Sequence, residues 1–368
     1  MTNDPKILLA AGGTGGHIWP AISFGSWIND NKPGATVCYV CGSRALELEI
    51  YHAAGIEPNI LPMEGSPFSG SGVVKKLSRT FALFKCCAKA YRLIKESSPT
   101  CCVLFGGYLS FPMIFACRAL RVPFVMHEQN AYAGKVTRFA SKIGIDIYSG
   151  WKECLPLAPG KFTHIGVPVR LFKKHGPAEA WEALGINDEY RVGPKVVAFT
   201  GSLGSQSIKD VICAAAPKGK YSDWTFILPA VSEKIEKVGN NVYLLPRVWD
   251  ASLLFSAADM AVVRAGGSTL TEIGTLGIPA LVVPWRNAAD NHQYHNAVAF
   301  ASENKAVIWD DGGDNGEFEE KLSNLAKVLG EYREKNQSKL YNNAGKICEN
   351  LWLALSPNFE RSTSRGTE

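Results

Sequence analysis

Short continuous apolar runs alternate with stretches of helical periodicity along most of the chain. Ile7–Ala11 is such a run, followed by Gly12-Gly13-Thr14-Gly15-Gly16-His17 and a helical pattern from Pro20 to Ile28. That order predicts strand, glycine loop and helix. Val196–Thr200, then Gly201-Ser202-Leu203-Gly204-Ser205 and a further helical stretch, repeat the arrangement about half a chain later.

A second pair of segments corresponds in the same way. Cys101–Phe105, Gly106-Gly107, a helix near Ser110–Leu120 and Val122-Pro123 lead into Phe124–His127. Met260–Arg264, Gly266-Gly267, a helix near Thr269–Leu276 and Ile278-Pro279 lead likewise into Ala280–Val283. Unbroken apolar strands alternating with helices suit a parallel sheet covered on both faces, because neither face meets water. The pattern predicts an α/β fold of two Rossmann-like, doubly wound domains, spanning residues 1–167 and 168–340. Ile347, Leu351 and Leu355 share one helical face, so a closing helix is expected at about 341–356, packing back on the first domain. Residues 357–368 read as a polar, frayed tail.

Composition narrows the class. With 46% hydrophobic and 20% charged residues in 368, each domain can bury its own core, which excludes wholesale disorder. A net charge of +5 is too mild to mark a nucleic-acid surface, and no nucleic acid is expected as a partner. Its distribution is uneven: up to Val167 there are 17 Lys/Arg against 10 Asp/Glu, whereas the remainder carries 22 against 24. The basic surplus is densest between Val73 and Lys95, which holds Lys75, Lys76, Arg79, Lys85, Lys89, Arg92 and Lys95 without an acid. On a helical projection Leu77, Phe81, Phe84, Ala88 and Tyr91 share a face expected to pack inward. The basic side, with Lys75, Lys76 and Arg79 foremost, suits an anionic membrane surface, where each cation contributes about 1 kcal/mol.

No apolar run is long enough to span a bilayer, and no basic leader with a cleavage site precedes Ile7. The expectation is a cytoplasmic protein, peripheral at the inner face of the membrane. Ten cysteines lie among apolar neighbours, two pairs of them adjacent, and are expected as reduced thiols. Cys38 and Cys41 form a lone CxxC in a strand-like run, without a second pair to complete a zinc site. Asp310–Asp314 lacks the alternating ligands of a calcium loop and reads as a solvated turn.

The glycine loops carry the candidate chemistry. Backbone N–H groups at a helix N-terminus attract phosphate oxygens, and glycine lets the backbone approach them. Loops at Gly12, Gly106, Gly201 and Gly266 have this character, although any doubly wound sheet also needs tight strand-to-helix turns. GGTGGH does not match GxGxxG, and no GxxxxGK[ST] is present, which disfavours dehydrogenases and P-loop kinases. Glu272 follows the Gly266 loop in the first turns of its helix. It reads either as an acid stabilised by the helix dipole or as an acceptor for ribose hydroxyls.

Asp290-Asn291-His292-Gln293 and Asn296 come just beyond the strand end at Val283, where ligands of open α/β sheets bind. A sugar nucleotide would use these groups together. His17 can take a proton from a hydroxyl at neutral pH, or can simply face solvent in a first helical turn. Glu128, in His127-Glu128-Gln129-Asn130, reads as an acid/base or as a structural hydrogen-bond acceptor.

GGTGGH with Pro20-Ala21, PheGlyGlyTyr, HisGluGlnAsn, ProValArg, GlySer-x-Gly and ArgAlaGlyGlySerThrLeuThrGluIle…GlyIleProAla…AsnHisGln occur in order from Lys6 to Asn296. Together they resemble the MurG family, bacterial transferases that move N-acetylglucosamine (GlcNAc) from UDP-GlcNAc to undecaprenyl-pyrophosphoryl-MurNAc-pentapeptide, lipid I. The resemblance implies a GT-B fold with the two domains facing an interdomain cleft, inverting chemistry, and no metal or other cofactor. The missing AspXaaAsp pair agrees with that.

The same resemblance implies that Thr14, Gly15 and Gly16 line the donor site, with Tyr108 and Asn130 against substrate and Arg170 and Ser202 near the diphosphate. Val248 would back the uracil, Gly267, Ser268, Thr269, Leu270 and Thr271 would surround phosphates and sugar, and Glu272 would hold ribose. His292 and Gln293 would bind the GlcNAc hydroxyls, and Asn296 is a further substrate-binding candidate. Phe111, Val167, Thr200 and Leu203 stand where the family usually carries glycine, asparagine, glycine and glutamine. Implied partners are UDP-GlcNAc, lipid I, an anionic membrane, and cell-wall synthesis and division proteins. Competing readings are another UDP-sugar glycolipid transferase, a UDP-GlcNAc 2-epimerase and a non-catalytic sugar-nucleotide-binding protein.

Overall fold

The structure, a computed structural model, describes residues 4–65, 73–186, 188, 193–201, 204–327, 329 and 343–363, with backbone alone at 73–81, 343 and 360–363. The chain divides into two compact units, Met1–Arg170 with Ala344–Glu368, and Leu171–Asn343. The first division falls three residues beyond the boundary read from sequence.

In the first unit, β1 (Lys6–Ala10), α1 (Gly15–Asn31), β2 (Thr36–Cys41), α2 (Ala45–Ala53) and β3 (Asn59–Ile60) come first. They are followed by α3 (Val73–Ser97), β4 (Cys101–Leu104), α4 (Ser110–Leu120), β5 (Phe124–Glu128), α5 (Lys135–Lys142), β6 (Ile147–Ser149) and β7 (Thr163–His164). The strands pair in the order β3-β2-β1-β4-β5-β6-β7, all parallel. Leu8 pairs with Cys38 on one side and Cys102 on the other, so β1 is an interior strand. Ile7, Leu8, Leu9 and Ala10 are all fully buried, as a strand covered on both faces requires.

Two sequence expectations are corrected here. Helix α3 forms, but it buries Cys86, Ala90 and Ile94, while Phe84 is 77% and Tyr91 41% exposed. The small Cys86 and Ala90 allow close approach to α4, against which α3 packs, so Phe84 and Tyr91 are turned outward; the side chains of Leu77 and Phe81 lie outside the described residues. The side chains of Lys75, Lys76 and Arg79 lie outside the described residues.

The closing helix α12 (Asn343–Thr363) runs through Pro357 instead of ending before it. Trp352 and Phe359, two turns apart, meet across this step with ring centroids 5.0 Å apart and planes tilted by 52°. Cys348, Leu351 and Leu355 are buried, and Tyr148 Oη donates to the Ala354 carbonyl at 3.3 Å, joining α12 to the first sheet.

The second unit contains α6 (Pro177–Ala183), β8 (Lys195–Phe199), α7 (Gln206–Ala215), β9 (Thr225–Leu228), β10 (Glu236–Val238), β11 (Val242–Leu244) and α8 (Ala251–Ala257). Then come β12 (Met260–Val263), α9 (Gly267–Leu276), β13 (Ala280–Val282), α10 (His292–Glu303), β14 (Ala306–Ile308) and α11 (Asn315–Lys327). The order is β10-β11-β9-β8-β12-β13-β14, parallel except for the antiparallel edge pair β10-β11. Strand order reverses at β1/β4 in the first sheet and at β8/β12 in the second. The four glycine loops are the turns leaving those four strands at their C-terminal ends, the usual ligand position in such sheets.

All ten cysteines are free thiols, and burial pushes Cys41, Cys86, Cys154 and Cys348 up to about 12, away from thiolate reactivity. Among the described residues no helix is long and apolar enough to cross a membrane.

Candidate active site

At the first switch point, α1 begins at Gly15, five residues before the start read from periodicity, so His17 lies in its first turn. Thr14 is the exposed N-cap residue, and its hydroxyl makes no cap bond. Gly12 has to be glycine: a Cβ there would come within 2.4 Å of Leu109 and 2.6 Å of the Glu47 carboxylate. Gly106 and Gly107 have φ of +77° and +71°, and a Cβ on either would lie 3.4 Å from the His17 ring. Glycine at both positions therefore keeps the approach to the imidazole uncrowded.

His17 Nδ1 is 2.7 Å from Gln129 Oε1, and Gln129 Nε2 lies 2.9 Å from both His127 Nδ1 and the His127 carbonyl. His127 Nε2 in turn lies 2.9 Å from the Gly166 carbonyl. Burial lowers the His127 pKa to about 4, so this imidazole is neutral at physiological pH.

The Glu128 carboxylate, 2% exposed, accepts from Asn130 N at 3.0 Å, Asn130 Nδ2 at 2.9 Å, Gly134 N at 3.0 Å and Thr137 Oγ1 at 2.5 Å. Four donors on two oxygens tie Glu128 to the loop after β5 and give it a structural part there. Asn130 is held half-buried by the same carboxylate. Tyr108 points its hydroxyl inward, to the fully buried Glu47 and to the Met63 carbonyl at 3.1 Å, so only its ring faces the Gly13 loop. Arg170 belongs to the first unit, its guanidinium 4.3 Å from the Trp19 ring centroid.

The second switch point is organised by Arg264, at the end of β12. Its guanidinium donates to Ser205 Oγ at 2.6 Å, Ser207 Oγ at 2.8 Å and the Val283 carbonyl at 3.2 Å, and pairs with Asp311 at 2.9 Å. It thereby ties together the chain leaving β8, β13 and β14. Asp311 is mostly buried, and its neighbour Asp310 is paired with Arg286 in bidentate fashion. The Asp310–Asp314 segment is therefore a paired acidic turn and not a merely solvated one. Arg264 opens the ArgAlaGlyGly motif in the sequence, but nothing in its spacing gives it this anchoring role.

Around α9, Gly267, Ser268 and Leu270 are buried, and Thr271 Oγ1 donates to the Gly267 carbonyl at 2.9 Å. Thr269 Oγ1 would lie 3.9 Å from a Cβ on Gly266. Glu272, 4% exposed, sits in the second turn of the helix. Asn296 is fully buried and donates to the Ala265 carbonyl at 2.9 Å, so it braces the loop.

Asp290 and Asn291, both with φ of 52°, precede α10 in the left-handed region, which Asp and Asn tolerate better than other non-glycine residues. The turn presents His292, whose Nδ1 donates to the Ala289 carbonyl at 2.8 Å, and Gln293, whose Oε1 accepts from Trp285 N at 2.9 Å. In a neutral imidazole this leaves Nε2 of His292 as an acceptor, while Gln293 retains its amide donors. Val248 is half-buried in the segment between β11 and α8. Ser202 lies outside the described residues. No group of three or more His, Cys, Asp or Glu among the described residues could hold a metal ion.

Known proteins match both units. The glycosyltransferase family 28 N-terminal domain matches residues 7–149, and the family 28 C-terminal domain matches residues 196–350. The UDP-N-acetylglucosamine–N-acetylmuramyl-(pentapeptide) pyrophosphoryl-undecaprenol N-acetylglucosamine transferase of Carboxydothermus hydrogenoformans is 30% identical over 315 residues, 82% of this chain and 84% of that protein. The transferase of the same name from Pseudomonas putida is 29% identical over 311 residues, covering 82% and 83%.

In fold, the crystal structure of Acinetobacter baumannii MurG superposes with a TM-score of 0.64 at 22% identity, over 94% of this chain and 95% of that one. A UDP-GlcNAc 2-epimerase from Neisseria meningitidis, bound to UDP-GlcNAc, reaches 0.63 at 15% identity, over 96% and 100%. The architecture alone therefore does not separate transfer from epimerisation. Two such sheets with family 28 sequence in both halves define a glycosyltransferase of the GT-B class. Within that class, the chain belongs to the MurG family of N-acetylglucosamine transferases.

Proposed function

We propose that the protein transfers GlcNAc from UDP-GlcNAc to the C4 hydroxyl of MurNAc on a polyprenyl-pyrophosphoryl-MurNAc-pentapeptide acceptor, with inversion and without a metal. The observation that carries this reading is His17: an imidazole in the first turn of α1, Nδ1 engaged at 2.7 Å, flanked by glycines that leave its approach uncrowded. As the acceptor oxygen bonds to the anomeric carbon, its proton passes to His17 Nε2. The bond from that carbon to the phosphate oxygen breaks, and UDP leaves with the electron pair. Backbone N–H groups at the N-termini of α7 and α9, with the Arg170 guanidinium, stabilise the leaving diphosphate. Glu272 accepts from the ribose hydroxyls, and His292 and Gln293 bind the GlcNAc.

A transferase releases UDP only when acceptor is present, whereas an epimerase changes UDP-GlcNAc alone. UDP release is expected with a MurNAc-pyrophosphoryl-polyprenol, not with diacylglycerol or without acceptor, and is expected to survive excess EDTA. Conversion of UDP-GlcNAc to its C2 epimer without acceptor would overturn the assignment.

The lipid-linked acceptor favours peripheral contact with the cytoplasmic face of the membrane. The outward Phe84 and Tyr91 of α3, beside exposed Lys85, Lys89, Arg92 and Lys95, support that contact, since apolar rings and cations together suit an anionic interface. Sedimentation with anionic vesicles should fall when Lys75, Lys76 and Arg79 are replaced by Ser, and fall further with Phe84→Ser. Unchanged sedimentation of the combined variant would refute the surface. Cell-wall synthesis and division proteins fit as neighbours of an enzyme acting there.

A further inference from the structure

Three side chains behind the first switch point form a chain whose proton positions follow from what each atom can accept. The Gly166 carbonyl only accepts, so the proton on His127 lies on Nε2, 2.9 Å away. His127 is fully buried and neutral, which leaves its Nδ1 bare. The Gln129 amide faces two acceptors there, His127 Nδ1 and the His127 carbonyl, each at 2.9 Å, and so must present its NH2 group to them. The reverse orientation would set Oε1 against a carbonyl oxygen. Gln129 Oε1 is thereby turned to His17 Nδ1 at 2.7 Å, and because it only accepts, the proton of a neutral His17 ring lies on Nδ1.

We infer that Gln129 and His127 are positioning residues that hold His17 in the single tautomer whose Nε2 lone pair can take the acceptor proton. The inference rests on the proposed role of His17 as base. The device resembles in logic a triad, with a neutral amide and a buried imidazole in place of the carboxylate that fixes a catalytic histidine. An amide orients the ring without adding a negative charge beside it. The main chain at Gln129, a residue 1% exposed, is held by the Trp151 indole N–H, which donates to the Gln129 backbone carbonyl at 2.9 Å.

Nitrogen-15 NMR of the intact protein with labelled histidine tests the inference directly. His17, assigned by comparison with His17→Gln, should show a protonated Nδ1 and a bare Nε2 in its neutral form. A ring protonated on Nε2, or an even mixture, would overturn the inference whether or not the base role stands. In Gln129→Met the mixture should appear, with kcat lowered by at least ~10-fold and both KM values unchanged, as removal of an orienting partner of a general base predicts. Unchanged kcat in a folded Gln129→Met protein would also overturn it. If that variant fails to fold, the wild-type spectrum decides. Failure of the base reading appears elsewhere, as retained turnover in His17→Ala, and leaves the tautomer measurement intact.

Discussion

His17→Ala should lower kcat by about 10²–10⁴-fold, the usual contribution of a positioned general base, while binding of UDP-GlcNAc stays as in the wild type. The split is expected because the loops proposed to hold the donor belong to α7, α9 and α10, whereas His17 is in the first turn of α1. Removing the imbedded ring should cost little stability, since His17 is only half-buried and engages one partner, Gln129 Oε1. Acceptor-dependent UDP release at saturating substrates, with calorimetric titration of the donor, checks both parts. Turnover within about twofold of wild type would remove His17 from the chemistry, because a genuine proton acceptor contributes far more than that.

The features legible in the sequence are those set by local spacing. Apolar runs ending in glycine loops located all four turns at the two switch points, since a buried parallel strand and a tight strand-to-helix turn each leave a local signature. Boundaries were less legible: glycines disguise the first turn of α1, and so the helix containing His17 starts earlier than its apolar periodicity does. The packed face of α3 is not legible from bulk, because Cys86 and Ala90 are buried by virtue of being small while Phe84 and Tyr91 are exposed.

What stayed hidden is convergence in space. Nothing in the spacing of His17, His127, Gln129 and Gly166 shows that they form one hydrogen-bonded chain across α1, β5 and the segment after β7. Tyr108 and Asn296 illustrate the same limit from the other side. Their motifs suggest ligand contact, yet their polar atoms are directed to Glu47 and to the Ala265 carbonyl, partners distant in sequence.

Arg264 is the strongest instance, and its replacement carries the second large expected effect. Arg264→Met keeps length and packing but leaves Asp311 as an uncompensated, mostly buried carboxylate, with its other oxygen already lacking a hydrogen bond. Breaking such a pair from one side typically costs about 3–5 kcal/mol. Ser205 and Ser207 lose the Arg264 donor at the same time and keep each other and the cap bond to Ile208 N, so the start of α7 is no longer tied to the chain after β13. Denaturation of the second domain should therefore shift to lower denaturant, and donor affinity should fall even though Arg264 need not touch the nucleotide.

Arg264→Lys should recover little of either, because one ammonium cannot reproduce a planar fork reaching Ser205, Ser207, Val283 and Asp311. The double variant Arg264→Met, Asp311→Leu separates the two terms. It removes the stranded charge, so stability should return in large part, while donor affinity stays low because Ser205 and Ser207 still lack the guanidinium that ties them to the chain after β13 and β14. Recovery of both properties together would mean that Arg264 acts on the donor site only through the stability of the domain, and recovery of neither would mean that the stranded Asp311 charge is not the source of the loss.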